Sequence, residues 1–214
     1  MMRLYLTFWA VGLGATCATA QPRPLYENDF EKAETGKVPA DMLVLDGGFA
    51  VRQEGGNKFL ELPGAPLESF GVLFGPTEKE GVSVTARVHG TGKGRRFPTF
   101  GVGLNGTGGY RLQVSPGKKL LELYKGDDVR RTAPFEWSSD KWTQLRLQVR
   151  KVKEGEWKIE GRVWVHGSPE PKDWTIAVDE KVEPRPGRAA LYGSPFAGTP
   201  IRFDDLLVAP AAER

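Results

Sequence analysis

Glu27, Asp29 and Glu31 stand at every other position of Glu27-Asn28-Asp29-Phe30-Glu31. On a β-strand that spacing places all three carboxylates on one face. Two carboxylates roughly 5–5.5 Å apart are what retaining glycoside hydrolysis uses, one as nucleophile and one as acid. A sheet backed by a core would alternate such residues with apolar ones, and Asn28 breaks that alternation. We therefore expect an edge strand with solvated carboxylates and assign no catalytic residue. Asp204 and Asp205, brought together with Asp29 or Glu31, form a second carboxylate set. If the terminal strands meet, these oxygens could hold a structural Ca²⁺, although no D-x-D-x-D loop supports it. His89 and His166 are far apart and lack a neighbouring cysteine, which speaks against zinc. No G-x-S-x-G elbow is present. Gly101–Gly106 is glycine-rich but lacks the following Lys-Ser/Thr of a phosphate loop.

A larger set is not catalytic in type. Arg87, Arg111, Gln113, Glu122, Tyr124, Arg146, Gln148, Arg162 and Trp164 each fall on the polar side of a segment that alternates apolar and polar residues. If their strands share a sheet, one face displays arginine, amide, carboxylate and aromatic groups together. Sugar rings stack their C–H faces on aromatics while planar polar groups bind the hydroxyls, so such a face suits a glycan. The competing reading is cross-strand packing of long side chains on an outer sheet face. Trp142 and Trp174 each begin a strand beside an acidic residue and are expected in the core or at its rim.

The elements that must position these residues are read from the same rhythm. In Lys141–Gly167, Leu145, Leu147 and Val149 alternate with Arg146, Gln148 and Arg150, and Ile159, Val163 and Val165 resume beyond a turn at Lys153–Glu156. Two period-two runs joined through Gly155 predict a long antiparallel hairpin. Glu54-Gly55-Gly56-Asn57 predicts another. Further short strands are expected at Leu25–Phe30, Phe70–Phe74, Val82–Val88, Thr99–Leu104, Tyr110–Val114, Leu120–Lys125, Val129–Phe135, Asp173–Val178, Gly187–Tyr192 and Pro200–Val208. In the last, Phe203 and Leu207 are expected to face the core, with Asp204 and Leu206 on the other side. With 27 glycines and 16 prolines as punctuation and no helical run, the fold class is all-β, a two-sheet sandwich or barrel.

Composition narrows the setting. Thirty basic against 27 acidic residues leave no cationic stripe for nucleic acid, and Lys93–Arg96 reads as a solvated loop. Residues 1–20 carry Arg3, an apolar run and Ala18-Thr19-Ala20, the pattern of a cleaved signal peptide, and the run is too short for a transmembrane segment. Gly14 argues against lipid attachment at Cys17, the one cysteine. Removal of the leader leaves a thiol-free domain at 21–208 and a tail at 209–214 expected to fray.

Specific words then become familiar. Leu25-Tyr26-Glu27-Asn28-Asp29-Phe30-Glu31 with Pro39, Arg162-Val163-Trp164 followed by Glu170-Pro171-Lys172-Asp173-Trp174, and Gly187–Gly193 with Ile201–Val208 resemble secreted concanavalin A-like lectin/glucanase domains. These are laminin G-like jelly rolls, and the 3-keto-disaccharide hydrolase-like domains are a sugar-acting branch. The resemblance implies an antiparallel jelly-roll β-sandwich with a carbohydrate- or protein-facing surface; it does not carry over catalysis. The leading expectation is an exported, secreted or periplasmic, non-catalytic lectin-like module for a glycan or polysaccharide. The alternatives are a glycoside hydrolase of the 3-keto-disaccharide hydrolase or glucanase type, and a domain that binds cell-envelope proteins.

Overall fold

The computed structural model describes residues 23–64, 68–196 and 198–211. The expected leader, residues 1–20, lies outside them. Fifteen strands follow in chain order: β1 (Tyr26–Asn28), β2 (Leu43–Asp46), β3 (Ala50–Glu54), β4 (Asn57–Leu62), β5 (Phe70–Glu78), β6 (Val82–His89), β7 (Thr99–Leu104), β8 (Tyr110–Ser115), β9 (Leu120–Lys125), β10 (Asp128–Pro134), β11 (Thr143–Lys153), β12 (Glu156–Val165), β13 (Ile176–Glu180), β14 (Gly187–Ser194) and β15 (Ile201–Pro210). They form two antiparallel sheets. One runs β13-β12-β11-β6-β15-β4-β3, with β1 also on β15; the other runs β10-β9-β8-β7-β14-β5-β2. This is the expected two-sheet sandwich. No helix among the described residues is long and apolar enough to cross a membrane.

The alternation does what period two requires. Leu145, Leu147, Val149 and Ile159 are fully buried, and they meet Leu112, Val114, Leu121 and Leu123 of the opposite sheet in one core. Both predicted hairpins form. Glu54 pairs Asn57 across Gly55-Gly56, both at positive φ, as a two-residue turn demands. Val163 is buried at 5 % and Trp164 points outward, but Val165, expected inside, is 41 % exposed at the strand end.

Two interior glycines set the spacing between layers. A Cβ at Gly161 would stand 2.6 Å from Leu112 Cδ1 of the facing sheet and 3.0 Å from Ile176 Cγ2. Gly161→Val is therefore expected to overpack the core and lower stability by about 1–3 kcal/mol, read as a fall in the urea midpoint. Gly193 is equally tight against Leu62 and Ile201.

The last strand departs from the expected phase. Its register against β6 shifts between Asp204 and Leu207, with Asp205 at φ 49°. One extra residue in a bulge moves all later side chains to the other face. Leu206 and Val208 therefore join Phe203 in the core, and Leu207 turns outward, the reverse of the simple alternation. Pairing also continues through Pro210 opposite Val82, into the stretch expected to fray. β1 lies on β15, Tyr26 opposite Val208, so the first and last strands are paired.

Candidate ligand-binding face

The polar–aromatic residues do not share a sheet. Arg87, Arg146, Gln148, Arg162 and Trp164 lie on the outer face of the eight-stranded sheet, on β6, β11 and β12. Arg111, Gln113, Glu122 and Tyr124 lie on the outer face of the seven-stranded sheet, on β8 and β9. The core separates the two groups.

On the eight-stranded sheet every one of these guanidiniums already has a carboxylate. Arg87 Nη2 donates to Asp204 at 2.7 Å, and its Nε lies 2.9 Å from Asp205. Arg146 Nη1 and Arg162 Nη1 both donate to Glu170 Oε1 at 2.8 Å. Gln148 and Arg150 donate to Glu160 at 2.7 and 2.8 Å. Trp142 and Trp174, expected in the core or rim, instead cover this face: Arg87 lies 4.7 Å from the Trp142 ring and Arg162 3.8 Å from the Trp174 ring. His89 packs on Trp142, and burial together with the Arg202 charge pushes its imidazole down. The guanidiniums of this face are thus committed to carboxylates, while Arg162 Nε, Gln144 Oε1 and Trp174 Nε1 are buried there without a hydrogen-bond partner.

The same pairs bear on the carboxylate sets. A Ca²⁺ at Asp204 and Asp205 would sit where the Arg87 guanidinium lies, so the donor set does not fit a cation. Asp29 instead accepts from the Glu31 amide at 3.1 Å. Among the described residues no three His, Cys, Asp or Glu side chains gather as a metal site. The Glu27–Glu31 alternation ends at once: β1 stops at Asn28, and fully buried Phe30 turns the chain at φ 59°. Glu31 is used to accept the Lys58 amide at 2.9 Å.

The seven-stranded sheet presents something different. Its outer face on β7 consists of Thr99, Gly101 and Gly103, because Phe100, Val102 and Leu104 point to the core. The two glycines leave a strip without side chains. Tyr192 of β14 leans into that strip, and a Cβ at Gly103 would come within 2.8 Å of its ring. On the far side, Gly103 pairs Arg111, and Arg111 pairs Tyr124. The Arg111 guanidinium is thus held between two rings, 4.4 Å from the Tyr124 centroid and 5.2 Å from that of Tyr192. Its Nε is buried with no hydrogen-bond partner, and no carboxylate of the described residues pairs with it. With a ring on either side, no carboxylate and a buried Nε, the donors left to a ligand are its Nη groups.

Next to it, Glu122 is buried. It accepts from Ser115 Oγ, from Lys118 Nζ at 2.9 Å and from Tyr124 Oη at 3.1 Å. Burial alone would raise its carboxyl, but the Ser115, Lys118 and Tyr124 donors outweigh burial and hold it below the usual carboxylate range. Burial and then the Glu122 charge push the Tyr124 phenol up; burial pushes up Tyr192. Ser69 and Ser194 share a 2.7 Å hydrogen bond beside Thr99, Arg111, Gln113 and Tyr192, in one small hollow. Thr99 also borders a cavity of about 580 Å³ walled by Arg95, Arg96, Phe97, Ser115, Gly117, Lys118 and Phe196. A cavity of about 640 Å³ at the opposite end holds Lys125, whose ammonium is taken by Glu180 at 2.7 Å.

Tyr192, Gly103, Ser115 and the Arg95–Phe97 loop were not candidates in the sequence. Tyr192 carried a signal only in retrospect, as the aromatic on the outward side of the small-residue strand Gly187–Gly193.

The chain matches no protein-family model and no curated protein. Solved structures do match. The potassium-bound carbohydrate recognition domain of Emp46p superposes with a TM-score of 0.62 at 10% identity, over 90% of this chain and 100% of that one. Carbohydrate binding module CBM66 from Bacillus subtilis gives 0.54 at 12% identity, over 79% and 95%. The catalytic domain of a glycoside hydrolase family 131 protein from Coprinopsis cinerea gives 0.57 at 10% identity, over 89% and 96%. At these identities the likeness is one of fold: a concanavalin A-like, lectin-type jelly roll.

Proposed function

We propose that the protein is an exported, non-catalytic carbohydrate-binding module whose glycan lies across the outer face of the seven-stranded sheet. One observation carries this: Arg111, fixed between Tyr124 and Tyr192 above a glycine strip, keeps its donors unspent. Aromatic edges with a few oriented polar groups are the means by which sugar hydroxyls and ring faces are held. The solved carbohydrate-binding neighbours share the scaffold and support the reading. Export, to the periplasm or outside the cell, rests on residues 1–20.

A glycoside hydrolase of the 3-keto-disaccharide hydrolase or glucanase kind would need two carboxylates facing each other over the scissile bond. Glu122, the buried carboxylate here, accepts from Ser115, Lys118, Tyr124 and, at 3.4 Å, Gln113, and is held below the usual carboxylate range, which suits a fixed acceptor and not an acid.

Affinity electrophoresis against a panel of soluble plant and microbial polysaccharides tests the assignment. Arg111→Ala and Tyr192→Ala are each expected to weaken retention about tenfold or more. Retention lost on Trp164→Ala and kept by Arg111→Ala would move the site to the other sheet.

A further inference from the structure

We infer that the glycan is acidic, a polymer bearing uronate carboxylates, and that it runs from the Arg95–Arg96 cavity along Thr99 and Ser115 to Arg111. This rests on the glycan-binding reading above and adds the ligand's charge and its path.

On the eight-stranded sheet the outward arginines of this protein are given a countercharge. Arg87, Arg146, Arg150 and Arg162 each have a carboxylate within 2.9 Å. On the seven-stranded sheet and the loop leading into it the pattern lapses: Arg188 of β14 donates only to the Gly75 and Asp41 carbonyls, Arg131 of β10 has no ion pair among the described residues, and three more arginines lack a carboxylate. Arg111 has rings on both sides and no carboxylate. Among the described residues the Arg95 and Arg96 side chains have no ion pair or hydrogen bond. They project from a tight turn closed by reciprocal Lys93–Arg96 backbone bonds of 2.9 and 3.1 Å, which fixes their base at the cavity rim. Lys118 adds a fourth cation, against one carboxylate, Glu122. With 30 basic and 27 acidic residues in the whole chain, this local excess is not a reflection of bulk charge.

The cations are also in line. Thr99 and Ser115 begin a track that continues through Gly101 and Gln113 to Gly103 and Arg111. Four residues of strand separate Ser115 from Arg111, about 13 Å at ~3.3 Å per residue. That length exceeds one sugar ring, so charges at both ends address a repeating anion and not a single ion. A guanidinium flanked by two rings and without a carboxylate keeps its Nη groups for a planar carboxylate, which a guanidinium fork can meet with two parallel hydrogen bonds.

The test is isothermal titration of the full chain with polygalacturonate, its fully methyl-esterified counterpart, neutral dextran, a sulfated galactan and a single-stranded oligonucleotide. The expected result is polygalacturonate bound about tenfold or more tightly than the ester, with that margin lost in Arg95→Ala/Arg96→Ala. Equal affinity for acid and ester, or preference for dextran, would overturn the acidic assignment and leave the glycan reading standing. Equal or tighter binding of the sulfated galactan or the oligonucleotide would overturn the carboxylate assignment. Binding of none of the five would remove the inference; if the wider polysaccharide panel is also not retained, the glycan reading falls with it.

Discussion

Replacing Arg87 by methionine is expected to lower unfolding free energy by about 3–5 kcal/mol, the cost of stranding a buried charge. Asp204 is 0% exposed on the central strand β15. Its carboxylate accepts from Arg87 at 2.7 Å, from Asn57 at 2.9 Å and from the Asp205 amide at 2.7 Å. The cluster joins β4, β6 and the bulge of β15, and Trp142 covers the guanidinium. Removal of Arg87 deletes the countercharge and keeps the burial. Asp204→Asn is expected to cost much less, because the amide keeps its neighbours without the charge. The pair of substitutions together should cost less than their sum. Burial already pushes the Asp204 carboxyl up, against its hydrogen bonds and Arg87. In the methionine variant that push is unopposed by the guanidinium, so its deficit should shrink as pH falls and the carboxyl takes a proton. Urea unfolding at two pH values measures both effects. A loss below about 1 kcal/mol, the range of solvent-exposed ion pairs, would show that the cluster is screened.

The parts of this molecule that were legible in its sequence are those set by neighbours in the chain. Leu145, Leu147 and Val149 declare their strand because inward and outward faces alternate within seven residues. Gly55-Gly56 declares a hairpin because both residues must take positive φ. Sheet membership is a different matter. Arg111 and Arg146 show the same outward phase, and nothing local says that β8 and β11 belong to opposite layers. The single binding face expected from alternation therefore divided in two. The phase of Leu206 and Leu207 was lost for a local reason, a bulge seeded by Asp205 that two adjacent aspartates do not advertise. Tyr192 was missed for a non-local one. β14 lies beside β7 although six strands intervene in the chain, and only that pairing, Ala190 opposite Gly103 and Tyr192 opposite Gly101, lays the ring over Gly103. Trp142 and Trp174 looked like core residues because large rings are usually buried; arginine stacking gives them another place, on the outer face.

Stability is expected to be greatest between about pH 6.5 and 10 and to fall on both sides, with protons taken up on unfolding below and released above. The acid limb opens with His89, whose imidazole burial and the Arg202 charge hold below its unfolded value of about 6.5, and is continued by Glu122, Glu160 and Glu180. In each glutamate, burial works to raise the carboxyl but is outweighed: by Ser115 and Lys118 for Glu122, by Arg150 and Gln148 for Glu160, by Lys125 and the Val182 amide for Glu180. A carboxyl held below its unfolded value stabilises fully above that value, about 4.3, and the contribution is lost as pH falls through the native one. Asp204 works in the opposite sense, since its native carboxyl is raised, and it softens the limb without reversing it. Glu180 matters most to the architecture. It sits on β13 of one sheet and accepts from Lys125 at 2.7 Å, Tyr110 at 3.2 Å and Arg130 at 3.4 Å of the other, closing the sandwich edge. The alkaline limb comes from the buried tyrosines, with Lys118, raised by its bond to Glu122, acting in the same sense. Burial pushes Tyr26 up to about 12 and also raises Tyr110, Tyr124 and Tyr192. A phenol raised in the native state stabilises below its unfolded value, about 10, and loses that contribution as pH rises toward the native one. Glu180→Gln should flatten the acid limb, leave the alkaline limb in place, and cost about 1–3 kcal/mol at neutral pH through its unmatched donors. Thermal midpoints from pH 3 to 11, with tyrosinate absorbance followed during alkaline unfolding, measure the profile. A midpoint that stays level from pH 7 to 3 would mean that these three carboxylates are no better held in the fold than in the unfolded chain.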